Sequence, residues 1–206
     1  MSNTKQIEAI TIRADILKRA LKAVIPAMSK DQTRPHLCGA HLVFGGRDLL
    51  IEATDGHVAH RVTIRGVYVD GDRGLWHSLI IPADAVKGLL KILPRAHKKA
   101  EATGVVISRG GASCGSSGVT WEKIKSQFPP MSAVIPDRSR APGAALVGVN
   151  PDYMMQGAKA CAAFRDGSAH TTSMRINMAE DLDPILMYLD DSLGNSLCAV
   201  VMPIRF

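Results

Sequence analysis

LIIPADAVKGLLKIL, Leu79 to Leu93, changes its period in the middle. Leu79, Ile80 and Ile81 make the short apolar run of a buried strand, and Pro82 punctuates it. From Asp84 the pattern turns helical. Val86, Leu89, Leu90 and Leu93 recur at spacings of three and four and form one apolar stripe. Asp84 falls in the first turn, where a carboxylate meets the positive end of the helix dipole. A strand feeding directly into an amphipathic helix is expected.

The same arrangement occurs twice more. In IRADILKRALKAVIPAM, Ile12 to Met28, the stripe is Ile16, Leu17, Ala20, Leu21, Val24 and Ile25. VNPDYMMQGAKACAAF, Val149 to Phe164, opens with Asn150 as an N-cap and Pro151 at the first helical position. Aligned on Asp15, Asp84 and Asp152, each helix carries a lysine seven residues later: Lys22, Lys91 and Lys159. The aspartates stand 69 and 68 residues apart, so the chain divides into three near-equal units. Alternating segments follow each helix: HLCGAHLVFGG, DLLIEATDG and VAHRVTIRG; then TGVVISRGG and GVTWEKIKS; then SMRINMA, DPILMYLDD and SLCAVVMPI. The expected fold class is α+β, built of tandem βαβββ modules, three per chain. RSRAPGA, Arg138 to Ala144, is basic, carries Pro and Gly, and reads as a linker.

Composition narrows the function classes. The chain has 206 residues, 46% hydrophobic but only 4% aromatic, so its core must be mostly aliphatic. A net charge of +6 and a pI near 9.3 favour a polyanionic partner. Lys18, Lys22, Lys87, Lys91 and Lys159, with Arg19, lie opposite the apolar stripes. A basic face recurring in each module suits phosphate contacts that do not read bases. So few aromatics argue against base stacking. Four scattered cysteines without CxxC spacing read as reduced, buried thiols, not a zinc site. No signal peptide and no membrane-length apolar run are visible, so a cytoplasmic protein without membrane contact or cofactor is expected.

One segment invites an enzymatic reading. In ATDGHVAHR, Ala53 to Arg61, Asp55, His57 and His60 could hold a divalent metal, with Arg61 or Arg65 on a phosphate. That would make a small phosphohydrolase. Against it, a strand sends His57 and His60 to opposite faces, and His36, His41, His77, His97 and His170 lack metal spacing. RGGASCGSSG, Arg109 to Gly118, lacks the phosphate-loop pattern and reads as a hairpin turn.

Four motifs, in order, carry a family resemblance: IEATDGHVA (Ile51 to Ala59), LIIPADAVKGLLKIL, FPPMSAVIP (Phe128 to Pro136) and AVVMPIRF (Ala199 to Phe206). Together they resemble the bacterial sliding clamp, the β subunit of DNA polymerase III. The resemblance implies a DNA clamp fold with helices on one face of antiparallel sheets. Residues 1–138 would correspond to the middle domain and 139–206 to one module of the C-terminal domain. Family protomers have three domains of two modules and close rings of twelve modules around duplex DNA. Three modules per chain then imply a homotetramer in which third modules pair across a twofold. The expected protein is no enzyme but a processivity factor that binds DNA without sequence preference and tethers a polymerase or other clamp-binding protein. The alternative is a clamp-like adaptor that competes for the same peptides without encircling DNA.

The resemblance also implies a peptide groove. Its counterparts here are Leu37, Thr54, Gly56, His57, Pro129, Val134, Asn150, Tyr153, Met202, Pro203 and Arg205. Val58 stands where the family often has Arg, Ala59 where a larger aliphatic residue is usual, and Ile204 where Met is common. Val58 is therefore expected to give the groove an apolar surface in place of a charge. Leu37, Val134 and Met202 could equally be core, and Asn150 is independently a helix cap.

Overall fold

The structure is a computed structural model, and it describes residues 9–45, 47–70, 78–95, 100–135, 148–168, 173–177 and 183–203. The expected linker at Arg138–Ala144, together with Ile204 and Arg205, lies outside the described residues.

The first unit runs β1 (Ala9–Arg13), α1 (Ala14–Val24), β2 (Gly39–Gly45), β3 (Asp48–Thr54), β4 (Val58–Ile64) and the short β5 (Tyr68–Asp70). The second has β6 (Ser78–Pro82), α2 (Ala83–Ile92), β7 (Gly104–Ser108), β8 (Gly111–Cys114) and β9 (Ser117–Thr120). The third has α3 (Pro151–Phe164), β10 (Arg175–Asn177), β11 (Ile185–Asp190) and β12 (Ser196–Val201). The α+β class and the strand–helix–strands order of the first two units agree with expectation. Two strands differ from it. β5 is not legible in the sequence, because three residues carry too little alternation. Arg109–Gly118 is not a single hairpin turn: β8 lies inside it, between turns at 109–110 and 115–116, and Gly115 takes φ +61° in the second.

Modules one and two exchange their first strands. β1 leaves the sheet of β2, β3 and β4 to pair antiparallel with β7, with β5 on its other edge, and β6 pairs with β2. Two antiparallel sheets result, ordered β5-β1-β7-β8-β9 and β10-β11-β12-β4-β3-β2-β6. The larger sheet runs through the join between the first and third modules. There β12 pairs with β4 over six residues, from Ser196↔Thr63 to Val201↔Val58.

Alternation along these strands separates two faces. Leu42, Leu49, Ile51, Val58, Val62, Met187, Leu197 and Ala199 point to the face covered by helices and belong to the main aliphatic core. α1 packs on β3 and β4, α3 on β11 and β12, and the two helices lie against each other. Gly157 lets α3 sit close on β11: a Cβ there would stand 2.7 Å from the Met187 sulfur. The opposite face holds a second cluster, including Leu37, Ala59, Phe128, Met131, Tyr188 and Val200. Beside it runs a polar ladder in which Arg61 Nε donates to Glu52 at 2.5 Å. His41 lies 3.1 Å from the same carboxylate and 2.6 Å from Ser78 Oγ, with its ring stacked on Phe128.

Candidate partner groove and nucleic-acid interface

The segment that suggested metal chemistry is a turn. Asp55 Oδ1 accepts the backbone N–H groups of His57 at 2.8 Å and Val58 at 3.0 Å. Thr54 Oγ1 donates to the Val58 carbonyl at 2.7 Å and accepts from Gly56 N at 3.1 Å. Gly56 takes φ +100°, a left-handed conformation that side chains resist. His60 is fully buried on the helix face, where Nδ1 lies 2.8 Å from the Ala23 carbonyl oxygen. That contact assigns the proton to Nδ1. Burial pushes the His60 pKa down to about 4, opposed by the Ala23 hydrogen bond. His57 is exposed. Asp55, His57 and His60 therefore do not converge on a common point. Among the described residues no group of three or more His, Cys, Asp or Glu could hold a metal ion.

The turn instead meets the third module. The His57 ring stacks on Tyr153 of α3, with centroids 5.7 Å apart and planes 13° from parallel. The His57 carbonyl oxygen accepts the N–H of Met202, just past β12, at 3.2 Å. Asn150 Oδ1 accepts from Asp152 N at 2.9 Å, which makes it the N-cap that holds Tyr153 in the first turn of α3. His57, Tyr153, Asn150, Met202 and Pro203 thus come together from three chain regions, with Met202 39% exposed. Leu37 and Ala59 lie below the surface in the outer-face cluster, where Ala59 pairs with Val200. Pro129 and Val134 are exposed around the 3-10 turn Met131–Ala133 that borders this cluster.

Val58 is a correction. It is 1% exposed and belongs to the helix-side core, so it presents no surface to a partner. β4 alternates from its first residue, which sends Val58 inward and Ala59 outward. Thr54 is likewise buried, and its hydroxyl is committed to the turn. Arg34 is a neighbour that the sequence did not suggest: its Nη1 lies 3.6 Å from where a Cβ on Gly56 would stand. No local signal marks it, since a bent loop brings it there.

The basic candidates separate as well. Lys22, Lys91 and Lys159 are exposed on their helices, and Lys87 is exposed while pairing with Asp84 at 3.1 Å. Arg19 and Lys18 are tied into the fold. Arg19 bonds Asp191 at 3.0 Å and the Phe164 carbonyl at 2.8 Å, and lies over the Phe164 ring. Lys18 Nζ donates to the Pro94 carbonyl at 2.8 Å. The helical spacing placed both on the basic face; long side chains that reach sideways to neighbouring modules took them off it.

Comparisons with known proteins agree with this architecture. Residues 11–128 match the family model described as DNA polymerase III beta subunit, central domain. The beta sliding clamp of Bacillus subtilis (strain 168) is 25% identical over 177 residues, covering 85% of this chain and 44% of that protein. The chain thus spans less than half the length of that relative. A Pseudomonas aeruginosa DNA polymerase sliding clamp crystallised with a ligand superposes with a TM-score of 0.74 at 16% identity, over 97% of this chain and 66% of that one. The Bacillus subtilis sliding clamp structure gives a TM-score of 0.73 at 16% identity, over 100% and 66%. With the family model covering more than half of the sequence, this chain belongs to the DNA polymerase III beta subunit family.

Proposed function

We propose that the chain acts as a sliding clamp, encircling duplex DNA as a homo-oligomeric ring and tethering a DNA polymerase or another DNA-processing protein. The observation that carries this reading is the β4–β12 join, with α1 and α3 side by side on one face and Lys22 and Lys159 exposed there. Modules that join edge to edge and keep their helices on one face can repeat around an axis, with the helices lining the inside. Exposed lysines on that lining would contact phosphates without reading sequence and leave the ring free to slide. The mechanism is topological: a closed ring stays on a long duplex without tight binding, and no chemical step is assigned to it.

In this reading residues 1–138 form one two-module domain and 139–206 a single module, so four chains of three modules complete twelve. Third modules would pair across a twofold, which accords with the exposed Met155, Met174 and Ile176 on that module. The partner peptide would lie on the surface around His57, Tyr153 and Met202. A cytoplasmic, DNA-associated protein fits the same reading.

Retention on circular DNA tests it. The chain should stay on a closed circle after a salt wash and run off when the circle is cut. Equal retention on circular and linear DNA would refute encirclement and leave a non-encircling adaptor.

A further inference from the structure

We infer that the outer edge of β9 is a self-association edge, pairing antiparallel across a twofold axis with β9 of a second copy of this chain. The join inside the chain supplies the rule. The third strand after the helix in module one, β4, pairs antiparallel with the third strand after the helix in module three, β12, and their helices α1 and α3 pack against each other across the join. Both strands are consumed by that contact. The last strand of module two is β9, and among the described residues it pairs only with β8.

The edge of β9 is equipped for the same contact. Trp121 N donates to Gly110 O at 3.0 Å, so by alternation the backbone groups of Gly118 and Thr120 point away from β8. Neither residue places bulk or charge on the edge: Gly118 has no side chain and Thr120 is small, uncharged and β-branched. None of the usual devices that blunt an edge, Lys, Pro or a bulge, stands between Ser117 and Thr120.

The helix beside this edge is self-complementary. A Cβ on Gly88 would stand 3.2 Å from Val119 of β9, so this stripe of α2 borders the edge. Asp84 and Lys91 share that stripe, one turn either side of Gly88, and both are exposed. A twofold normal to the sheet runs the two α2 helices antiparallel and sets Asp84 of each against Lys91 of the other. Asp84 already pairs with Lys87 of its own helix, so a second lysine would share the carboxylate. A twofold contact here differs from a head-to-tail join, because the same surface is used on both sides. The strand and helix geometry stands alone; only the tetramer count rests on the ring reading.

The test measures native mass and cross-linking on the 206-residue chain. Thr120→Pro deletes an outward N–H while sparing the bonds to β8, and should halve the native mass of the wild type with unchanged circular dichroism. Gly118→Cys and Thr120→Cys, each alone, supply a second readout that does not depend on a proline. A short bis-maleimide should join two chains in at least one of them, because opposite and diagonal residues across an antiparallel pair lie within about 8 Å. The four native cysteines are buried, so the wild type sets the background. An unchanged mass for Thr120→Pro, or no cross-link above wild type, overturns the inference. If that happens while the wild type still needs a closed circle for retention, the ring closes elsewhere and only this inference fails. A wild-type dimer that Thr120→Pro turns into a monomer supports the β9 contact and removes the tetrameric ring.

Discussion

Arg19 Nη2 of α1 lies 3.0 Å from Asp191 Oδ2, in the turn between β11 and β12, and this pair locks the third module onto the first. The Asp191 side chain is fully buried and also accepts from the Leu193 and Asn195 backbone and the Asn195 amide. Arg19 adds a bond to the Phe164 carbonyl at the end of α3. Removing the arginine leaves a carboxylate buried without its cation. We predict that Arg19→Ala lowers unfolding free energy by about 3 to 5 kcal/mol. Urea denaturation measures this, and a decrease below about 1 kcal/mol would show that the pair does not hold the join.

His60 gives the fold a pH dependence whose sign is set by burial. Its folded pKa of about 4 lies below the ordinary value of 6.5, so the unfolded chain takes up the proton first as pH falls. The contribution is complete above pH 6.5 and shrinks as pH drops from there towards 4. Between pH 6.5 and 5 the decrease is about 2 kcal/mol. We expect His60→Gln to flatten that part of the stability curve relative to wild type. Parallel curves for the two proteins would count against it.

Lys22 and Lys159 should act on DNA through phosphate alone. Replacing both with alanine is predicted to weaken binding to any duplex sequence. The slope of log K against log salt should become shallower by about 0.9 for every phosphate that no longer meets a lysine. Lys18→Met, whose ammonium is held by the Pro94 carbonyl, should leave the slope unchanged. Salt titrations on two unrelated duplexes separate the classes, and a sequence-dependent weakening would contradict the assignment.

Tyr153 and Val58 make contrasting probes of the partner surface. Tyr153→Ala removes the ring that stacks on His57 and should weaken a clamp-binding peptide about tenfold or more, as truncation of an aromatic anchor does. Val58→Arg puts a charge into a core position that is 1% exposed. It should cost roughly 3 kcal/mol or more of stability. Fluorescence anisotropy and thermal melts report the two effects separately. A stable Val58→Arg protein with altered peptide affinity would restore Val58 to the groove.

The sequence by itself determined the modules. Asp15, Asp84 and Asp152 open helices α1, α2 and α3, and most of the apolar stripes read from spacing are the buried residues of those helices. Asn150 caps α3 as its side chain and the following proline indicate. Each of these signals is local, because helix period, capping and strand alternation act within a few residues. Tertiary structure decided which strand joins which sheet. The exchange of β1 and β6 and the β4–β12 join depend on hydrogen bonds between residues far apart, and alternation alone is satisfied by any partner. The same dependence withdrew Arg19 and Lys18 from the basic face and Val58 from the groove. Whether a side chain serves a surface or the fold depends on what packs beside it, and that neighbour is set by the sheet.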